Sequence, residues 1–155
     1  MDATTEVAAY EKTLTIDAAP ETVWEFLVDP EKLMRWKGID AQLDARQGGA
    51  YRCEVIPGHV ALGEFVEVDK PHRLVWTWGW EGQANEGVPP GSSTIEVALE
   101  PEGDGTRLRF VHKDLPSAEA VASHAKGWDH YLPRLETAAA GGDPGTDPWT
   151  QGDMS

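Results

Sequence analysis

The chain has 155 residues, of which 40% are hydrophobic and 26% are charged, as in an ordinary globular protein. This length favours one domain that buries about 70% of the surface of its unfolded chain. Acidic residues outnumber basic ones by 27 to 13, and no Lys/Arg cluster is visible, so we expect neither nucleic acid nor an anionic membrane surface as a partner.

The cysteine content and the first residues bear on the cellular compartment. Cys53 is the only cysteine, so an internal disulfide cannot form and nothing indicates an oxidising compartment. The acidic start, MDATTEVAAYEK, lacks the basic and apolar regions of a signal peptide. No apolar run approaches the roughly 20 residues that span a bilayer. We therefore predict a cytoplasmic protein without membrane insertion.

The first part of the chain predicts a strand followed by two short helices. Residues 1–9 form an acidic leader that we expect to be flexible, and KTLTID alternates polar and apolar residues as a strand does. Pro20 stands at the first position of a helix over ETVWEFLVD, and Glu21 is favourable in its first turn. Pro30 ends this helix, and PEKLMRW predicts a second short one.

The middle of the chain predicts six further strands, joined mostly by short turns. Their sequences are DAQLDA, AYRCEVI, VALGEFVEVD, HRLVWTWGW, STIEVALEPE and TRLRFVHK. Short spacers make successive strands antiparallel neighbours, so the prediction is a seven-stranded antiparallel sheet. The longest gap, EGQANEGVPPGSS, is a candidate for a mobile loop at one rim of the sheet.

The last element is a long helix with an apolar stripe. Ser117 is a candidate N-cap, and the stripe runs through Val121, Ala125, Trp128, Leu132, Leu135 and Ala139. Gly127 weakens this helix by about 1 kcal/mol relative to Ala. Pro133 removes the hydrogen bond to the Asp129 carbonyl, so we expect a kink or a split there. Residues 140–155 are rich in Gly, Pro and Asp and predict a disordered tail.

Three tryptophans alternate along the strand LVWTWGW. Residues two apart share one face of a strand, so Trp76, Trp78 and Trp80 point the same way, toward the concave side of the sheet. If covered, three indoles contribute roughly 11–19 kcal/mol of transfer free energy at about 25 cal/mol/Å². The alternation leaves open whether these rings fill a solid core or line a ligand pocket.

Polar residues are predicted to share the concave face with the tryptophans. Uninterrupted alternation from Val60 to Val68 turns Glu64 and Val66 inward, and His112 follows Phe110 on another strand. No catalytic residue is assigned, but Glu64 and His112 are candidates for an acid/base pair. The candidate ligand-binding residues are Trp76, Trp78, Trp80, Glu64, Val66, Val97, Phe110, His112, His124, Trp128 and Leu132. The sequence lacks zinc-site, P-loop and dinucleotide motifs, so we predict no metal and no cofactor.

The order of these motifs resembles the START-like superfamily, also called SRPBCC. The residues that carry the resemblance are the opening AAPETVWEFL, the strand KPHRLVWTW and the helix SHAKGWDHYLPRLE. Within the superfamily, the chain resembles the branch named after the activator homologues of the heat-shock-protein ATPase. The resemblance extends from about Thr13 to Ala139 and implies a single helix-grip domain over residues 10–139. That fold is α+β: a curved seven-stranded antiparallel sheet wraps around a long C-terminal helix, with two short helices after the first strand.

The resemblance also implies a cavity between the sheet and the long helix, in which related proteins bind lipids, sterols or polyketides. The leading hypothesis is a carrier or sensor for a small apolar or aromatic molecule. The first alternative is an enzyme like the polyketide cyclases and aromatases, with Glu64 and His112 as acid and base. The second is an interaction module that modulates a chaperone ATPase. A homodimer is left open.

Overall fold

The computed structural model describes residues 9–82 and 87–151. Most of the predicted leader and part of the loop predicted as mobile lie outside these ranges. The elements in chain order are β1 (Ala9–Ile16), α1 (Pro20–Val28), α2 (Pro30–Leu33), β2 (Asp40–Leu43), β3 (Ala50–Ile56), β4 (His59–Asp69), β5 (Arg73–Trp80), β6 (Ser93–Glu102), β7 (Gly105–Lys113), α3 (Ala118–Ala139) and a 3-10 helix (Pro148–Gln151).

The seven strands form one antiparallel sheet in the order β1-β7-β6-β5-β4-β3-β2. Each short turn from β2 onward joins strands that are neighbours in the sheet, and β1 completes the sheet by pairing with β7. The long helix α3 covers the concave face and buries Trp128, Leu132 and Leu135 against it. The predicted α+β helix-grip fold is therefore confirmed.

The segment after α2 brings a lysine under the sheet. The Lys37 backbone N–H donates to the Leu33 carbonyl at 2.9 Å, which continues the last turn of α2. Gly38 follows with φ +95°, and an added Cβ there would lie 2.7 Å from the Cys53 Sγ, so only glycine fits this turn. The Trp36 carbonyl accepts from Arg134 Nε at 3.0 Å, which ties the segment to α3.

A β-bulge in β4 reverses which residues face the core. Phe65 pairs with Trp76 and Glu67 with Val75, so Val66 is an extra residue between them. Because the inward face changes at the bulge, Phe65 and Val68 turn toward the core while Val66 is 46% exposed. Glu64 is also exposed. The prediction that Glu64 and Val66 face the concave side is therefore wrong, because alternation was assumed to be unbroken.

Helix α3 is continuous through its proline. The Ser117 hydroxyl accepts from the Ala120 N–H at 3.1 Å, so the N-cap is where the sequence placed it. The helix runs through Pro133 to Ala139 without a break, and Thr137 Oγ1 donates to the Pro133 carbonyl at 3.2 Å. The predicted split at Pro133 therefore does not occur.

The chain after α3 packs back against the helix. Arg134 donates to the Pro144 and Gly145 carbonyls at 3.1 and 3.0 Å. The Trp149 ring stacks on His130 with centroids 3.9 Å apart and planes inclined by 10°. These contacts place residues 140–151 against α3, in the segment whose composition predicts a disordered tail. One arginine and one tryptophan supply the anchoring contacts.

Candidate functional site

A cavity of about 250 Å³ lies between α3 and the ends of β3 and β5. Its mouth is bordered by the exposed residues His59, Ser123 and Lys126. Its walls are formed mainly by aromatic and aliphatic side chains, together with one glycine, one histidine and one lysine: Trp78, Trp80, Trp128, Trp149, Tyr131, Val55, Ile56, Gly127, His124 and Lys37.

The indole rings form a connected wall. The Trp78 ring contacts those of Trp80 and Trp128, each with centroids 5.3 Å apart. Trp149 closes another side through an edge contact with Tyr131 at 5.6 Å. Because neighbouring rings hold one another in place, the wall exists before any ligand arrives, which lowers the entropic cost of binding.

The other end of the sheet–helix interface is nearly solid. Trp76 stacks on Tyr51 with centroids 5.3 Å apart and packs against Phe65 at 6.3 Å. The gap beside them measures about 10 Å³, which is at most the space of one water molecule. Trp76 therefore fills the core, whereas Trp78 and Trp80 line a cavity.

Lys37 lies in the wall of the cavity, although it is only 2% exposed. Its Nζ donates to the Tyr51 hydroxyl at 2.9 Å. The same nitrogen lies 4.7 Å from the ring centroids of both Trp78 and Trp128, within cation–π range. Burial lowers the pKa of Lys37 to about 8, and the electrostatic effect of Cys53 opposes this shift.

His112 is fully buried, and both of its ring nitrogens are engaged. Nδ1 accepts from the Trp128 indole N–H at 3.0 Å, so a neutral ring carries its proton on Nε2. That proton is directed to the Ser93 hydroxyl at 2.8 Å, which in turn donates to the Trp78 carbonyl at 2.8 Å. Burial, followed by the electrostatic effects of His124 and Lys37, holds the pKa of His112 well below its usual value. The ring stays neutral and positions Trp128 and Trp78.

His124 has a similar arrangement at the cavity wall. Its Nε2 accepts from the Trp80 indole N–H at 3.0 Å, so Nδ1 carries the proton and donates to the Ala120 carbonyl at 2.8 Å. The two imidazole rings of His112 and His124 meet edge to face at 5.0 Å. Each therefore orients an indole of the wall.

The structure separates the predicted site residues into four groups. Those that line the cavity are Trp78, Trp80, His124 and Trp128. Those that border the nearly solid end are Trp76, Val97, Phe110 and Leu132. His112 lies in the layer behind the wall, and Glu64 and Val66 lie on the exposed side of β4. Glu64 and His112 are therefore not brought together as an acid/base pair.

Sequence reasoning missed three residues of the wall. Lys37 follows a short helix and precedes a glycine, a position that is usually solvated, so no pattern indicated its burial. Trp149 lay in the segment predicted as disordered. Tyr131 precedes Leu132 and was outside the apolar stripe, although an aromatic residue on the flank of a stripe is a usable signal.

The curved sheet, the long helix and the cavity between them define a helix-grip protein of the START-like class. Residues 17–140 match the family described as activator of Hsp90 ATPase homolog 1-like protein. This match covers most of the chain, and the chain belongs to that family.

Solved structures agree with this assignment. An AHSA1-like protein of Rhizobium etli is 45% identical, with a TM-score of 0.72 over 91% of this chain and 87% of that one. CalU16 of Micromonospora echinospora is 27% identical, with a TM-score of 0.68 over 86% and 76% of the two chains. An HSP90 activator of Plasmodium falciparum is 24% identical, with a TM-score of 0.70 over 84% and 95%, and this likeness shows the fold alone.

One curated relative is an uncharacterised protein of Schizosaccharomyces pombe, 24% identical over 138 residues. The match covers 88% of this chain but only 39% of that protein, so the chain spans about two fifths of its relative's length. Among the residues that the structure describes, no helix is long and apolar enough to cross a membrane. Within the same ranges, no group of acidic, histidine and cysteine side chains is arranged to hold a metal ion.

Proposed function

We propose that this protein binds a small aromatic or apolar molecule in the cavity, as a carrier or sensor. The observation that carries the proposal is the connected indole wall of Trp78, Trp80 and Trp128 beside an open volume of about 250 Å³. Aromatic rings with polar edges, together with a few polar groups, are the usual lining of small-molecule sites.

The volume favours the small end of the ligand classes expected from the family. Pockets for drug-sized ligands occupy about 300–1,000 Å³, and this cavity is smaller. A molecule of one or two rings matches that size better than a sterol or a long acyl chain. Flat rings also gain from offset or edge contacts with indoles, at about 0.5–1.5 kcal/mol for each pair.

The other hypotheses gain less support from the geometry. An acid/base enzyme built on Glu64 and His112 loses its pair, because Glu64 is exposed and the nitrogens of His112 are both engaged. The chaperone partner and the homodimer rest on the family alone and remain predictions. Pull-down with a purified Hsp90-type chaperone, together with its ATPase rate, tests the chaperone partner; analytical ultracentrifugation tests the homodimer.

The proposed binding can be tested with a variant that fills the cavity. Gly127 lies in its wall, and a Cβ added there meets no other atom within 4 Å. Gly127→Leu should therefore fold normally and occupy the cavity. Ala122→Leu adds the same side chain on the exposed side of α3 and serves as the matched control.

The probe is 1-anilinonaphthalene-8-sulfonate, whose fluorescence rises in apolar sites. We expect saturable binding to the native protein and to Ala122→Leu, and a loss of at least tenfold in affinity in Gly127→Leu. Equal binding by Gly127→Leu and Ala122→Leu, with both variants folded by circular dichroism, would show that the probe binds elsewhere and would contradict the proposal.

A further inference from the structure

We infer that the ligand is an aromatic carboxylate whose acid group accepts hydrogen bonds from the Lys37 ammonium and the Trp78 indole N–H. The inference rests on the proposed function and specifies the chemistry of its ligand. It depends on two hydrogen-bond donors in the cavity wall. A carboxylate would supply a negative charge to the first and a hydrogen-bond acceptor to the second.

Lys37 is a buried cation, and the described part of the chain places no acidic side chain beside it. Among the described residues, no carboxylate lies within ion-pair distance of its Nζ, although the chain as a whole carries a net charge of −14. Buried lysines are normally paired, because an isolated charge loses its hydration without compensation. An anion bound in the adjoining cavity would supply the missing charge.

The hydrogen-bonding capacity of Lys37 is also only partly used. An ammonium has three N–H donors, and one is directed to the Tyr51 hydroxyl at 2.9 Å. The rings of Trp78 and Trp128 hold the nitrogen at 4.7 Å from both centroids but accept no conventional hydrogen bond. The cage therefore fixes the position of the charge and leaves N–H donors for a ligand oxygen.

Trp78 supplies the second donor. Its indole N–H is buried and has no hydrogen-bond partner within the described ranges, as is also true of Trp76 at the solid end. At the open end, the N–H groups of Trp80 and Trp128 donate to histidines. Buried N–H groups are rarely left unpaired. The Trp78 ring lines the cavity, and its face lies 4.7 Å from the Lys37 Nζ, so the proposed acid group places one oxygen at each of the two residues.

The groups that face Lys37 leave its positive charge uncancelled at neutral pH. On β3 these are Tyr51 and Cys53, whose pKa values are both raised, first by burial, so both are neutral. On β7 the group is His112, whose lowered pKa also keeps it neutral. Lys37 is the buried charge of the wall, and Lys126 lies at the exposed mouth. One buried positive charge matches a monoanion, and the acidic surface disfavours the approach of more highly charged ligands.

The test compares 2-naphthoate with 2-naphthamide, which have the same rings but differ in charge. Isothermal titration calorimetry on the native protein at pH 6.5 should show naphthoate binding at least tenfold more tightly than the amide. Lys37→Met, which keeps the length of the side chain without its charge, should bind the two compounds within about threefold of each other. Circular dichroism verifies that the variant is folded.

The pH dependence provides a second readout. Above the Lys37 pKa of about 8, naphthoate affinity should fall by about tenfold per pH unit while naphthamide affinity stays constant. Trp78→Phe removes the N–H donor together with one ring of the indole and should lower the affinity for naphthoate by about tenfold.

The outcomes separate the two proposals. Equal affinity of the native protein for both compounds, independent of pH, would overturn this inference and leave the proposed function standing. A naphthoate preference that persists in Lys37→Met would also overturn it, because a group other than Lys37 would then bind the carboxylate. Absence of binding by both compounds would overturn the proposed function and this inference with it.

Discussion

The two ends of the interface between β5 and α3 are built from the same two elements, yet one is solid and the other is open. At the solid end, Leu132 and Leu135 of α3 reach the sheet beside Trp76 and leave a gap of about 10 Å³. At the open end, the same helix presents Ser123 and Gly127, and a cavity of about 250 Å³ remains.

The difference shows that side-chain size on the helix decides where a cavity forms. Both ends receive large rings from the sheet, so indole content alone does not distinguish filling from lining. On α3, His124 and Trp128 contact the rings of Trp80 and Trp78, but Ser123 and Gly127 beside them are too small to fill the remaining space. Protein interiors are otherwise packed to crystal-like density. The cavity therefore results from the small side chains at these positions of α3, and the fold by itself does not require it.

The largest expected effect lies at the solid end. Leu135 is fully buried there, so Leu135→Ala should lower the free energy of unfolding by about 2–5 kcal/mol through lost burial and a new cavity. Urea denaturation measures the loss. Naphthoate affinity of the folded variant should change less than threefold. A large loss of affinity would instead show that the two ends act as one site.

A second effect follows from the charge at the open end. Because burial lowers the pKa of Lys37 to about 8, the unfolded chain binds more protons above that pH, and stability rises as the lysine deprotonates on folding. Relative to Lys37→Met, the native protein should gain about 1 kcal/mol between pH 7 and pH 9. The comparison largely cancels the titration of Cys53 and Tyr51. A difference that is constant across this range would contradict the lowered pKa.

A smaller effect is expected at Gly127. Gly127→Ala adds a methyl group in open space and removes the helix cost of glycine, so stability should rise by up to about 1 kcal/mol. Thermal denaturation by circular dichroism can measure the gain. Ala122→Gly on the exposed side of α3 should lose a similar amount. A destabilised Gly127→Ala would contradict the open space next to Gly127 in the cavity wall.

The smallest effect on stability is expected at Trp149. Its ring stacks on His130 near the end of the chain, so Trp149→Ala should cost about 0.5–1 kcal/mol in chemical denaturation. Because the ring closes one side of the cavity, naphthoate affinity should nevertheless fall several-fold. Unchanged affinity would remove Trp149 from the site and leave its role structural.

The sequence predicted most of the fold but only part of the site. Alternation in LVWTWGW correctly placed three tryptophans on one face, because the pairing of β5 with β4 keeps one register from Trp76 to Trp80. The same rule misplaced Glu64 and Val66, because one extra residue in β4 reverses the inward face and no local signal marks it. A bulge depends on pairing with the neighbouring strand, which a single strand's pattern does not contain.

The site residues that escaped prediction depend on tertiary contacts. Lys37 is buried because Trp36 and Gly38 fix the chain between α3 and β3, two elements distant in sequence. Trp149 is ordered by His130 and Tyr131, although its own segment has the composition of a disordered tail. Composition and periodicity report on local preference, and neither describes a contact of this kind.

The division into a solid and an open end is tested most directly by the indole N–H signals in a ¹H–¹⁵N NMR spectrum. The chain has seven tryptophans, and each gives one such signal. On addition of 2-naphthoate, we predict that the signals of Trp78, Trp80 and Trp128 shift while those of Trp76 and Trp24 stay in place. Equal shifts of Trp76 and Trp78, or no shift at a saturating concentration, would contradict the assignment of the cavity as the ligand site.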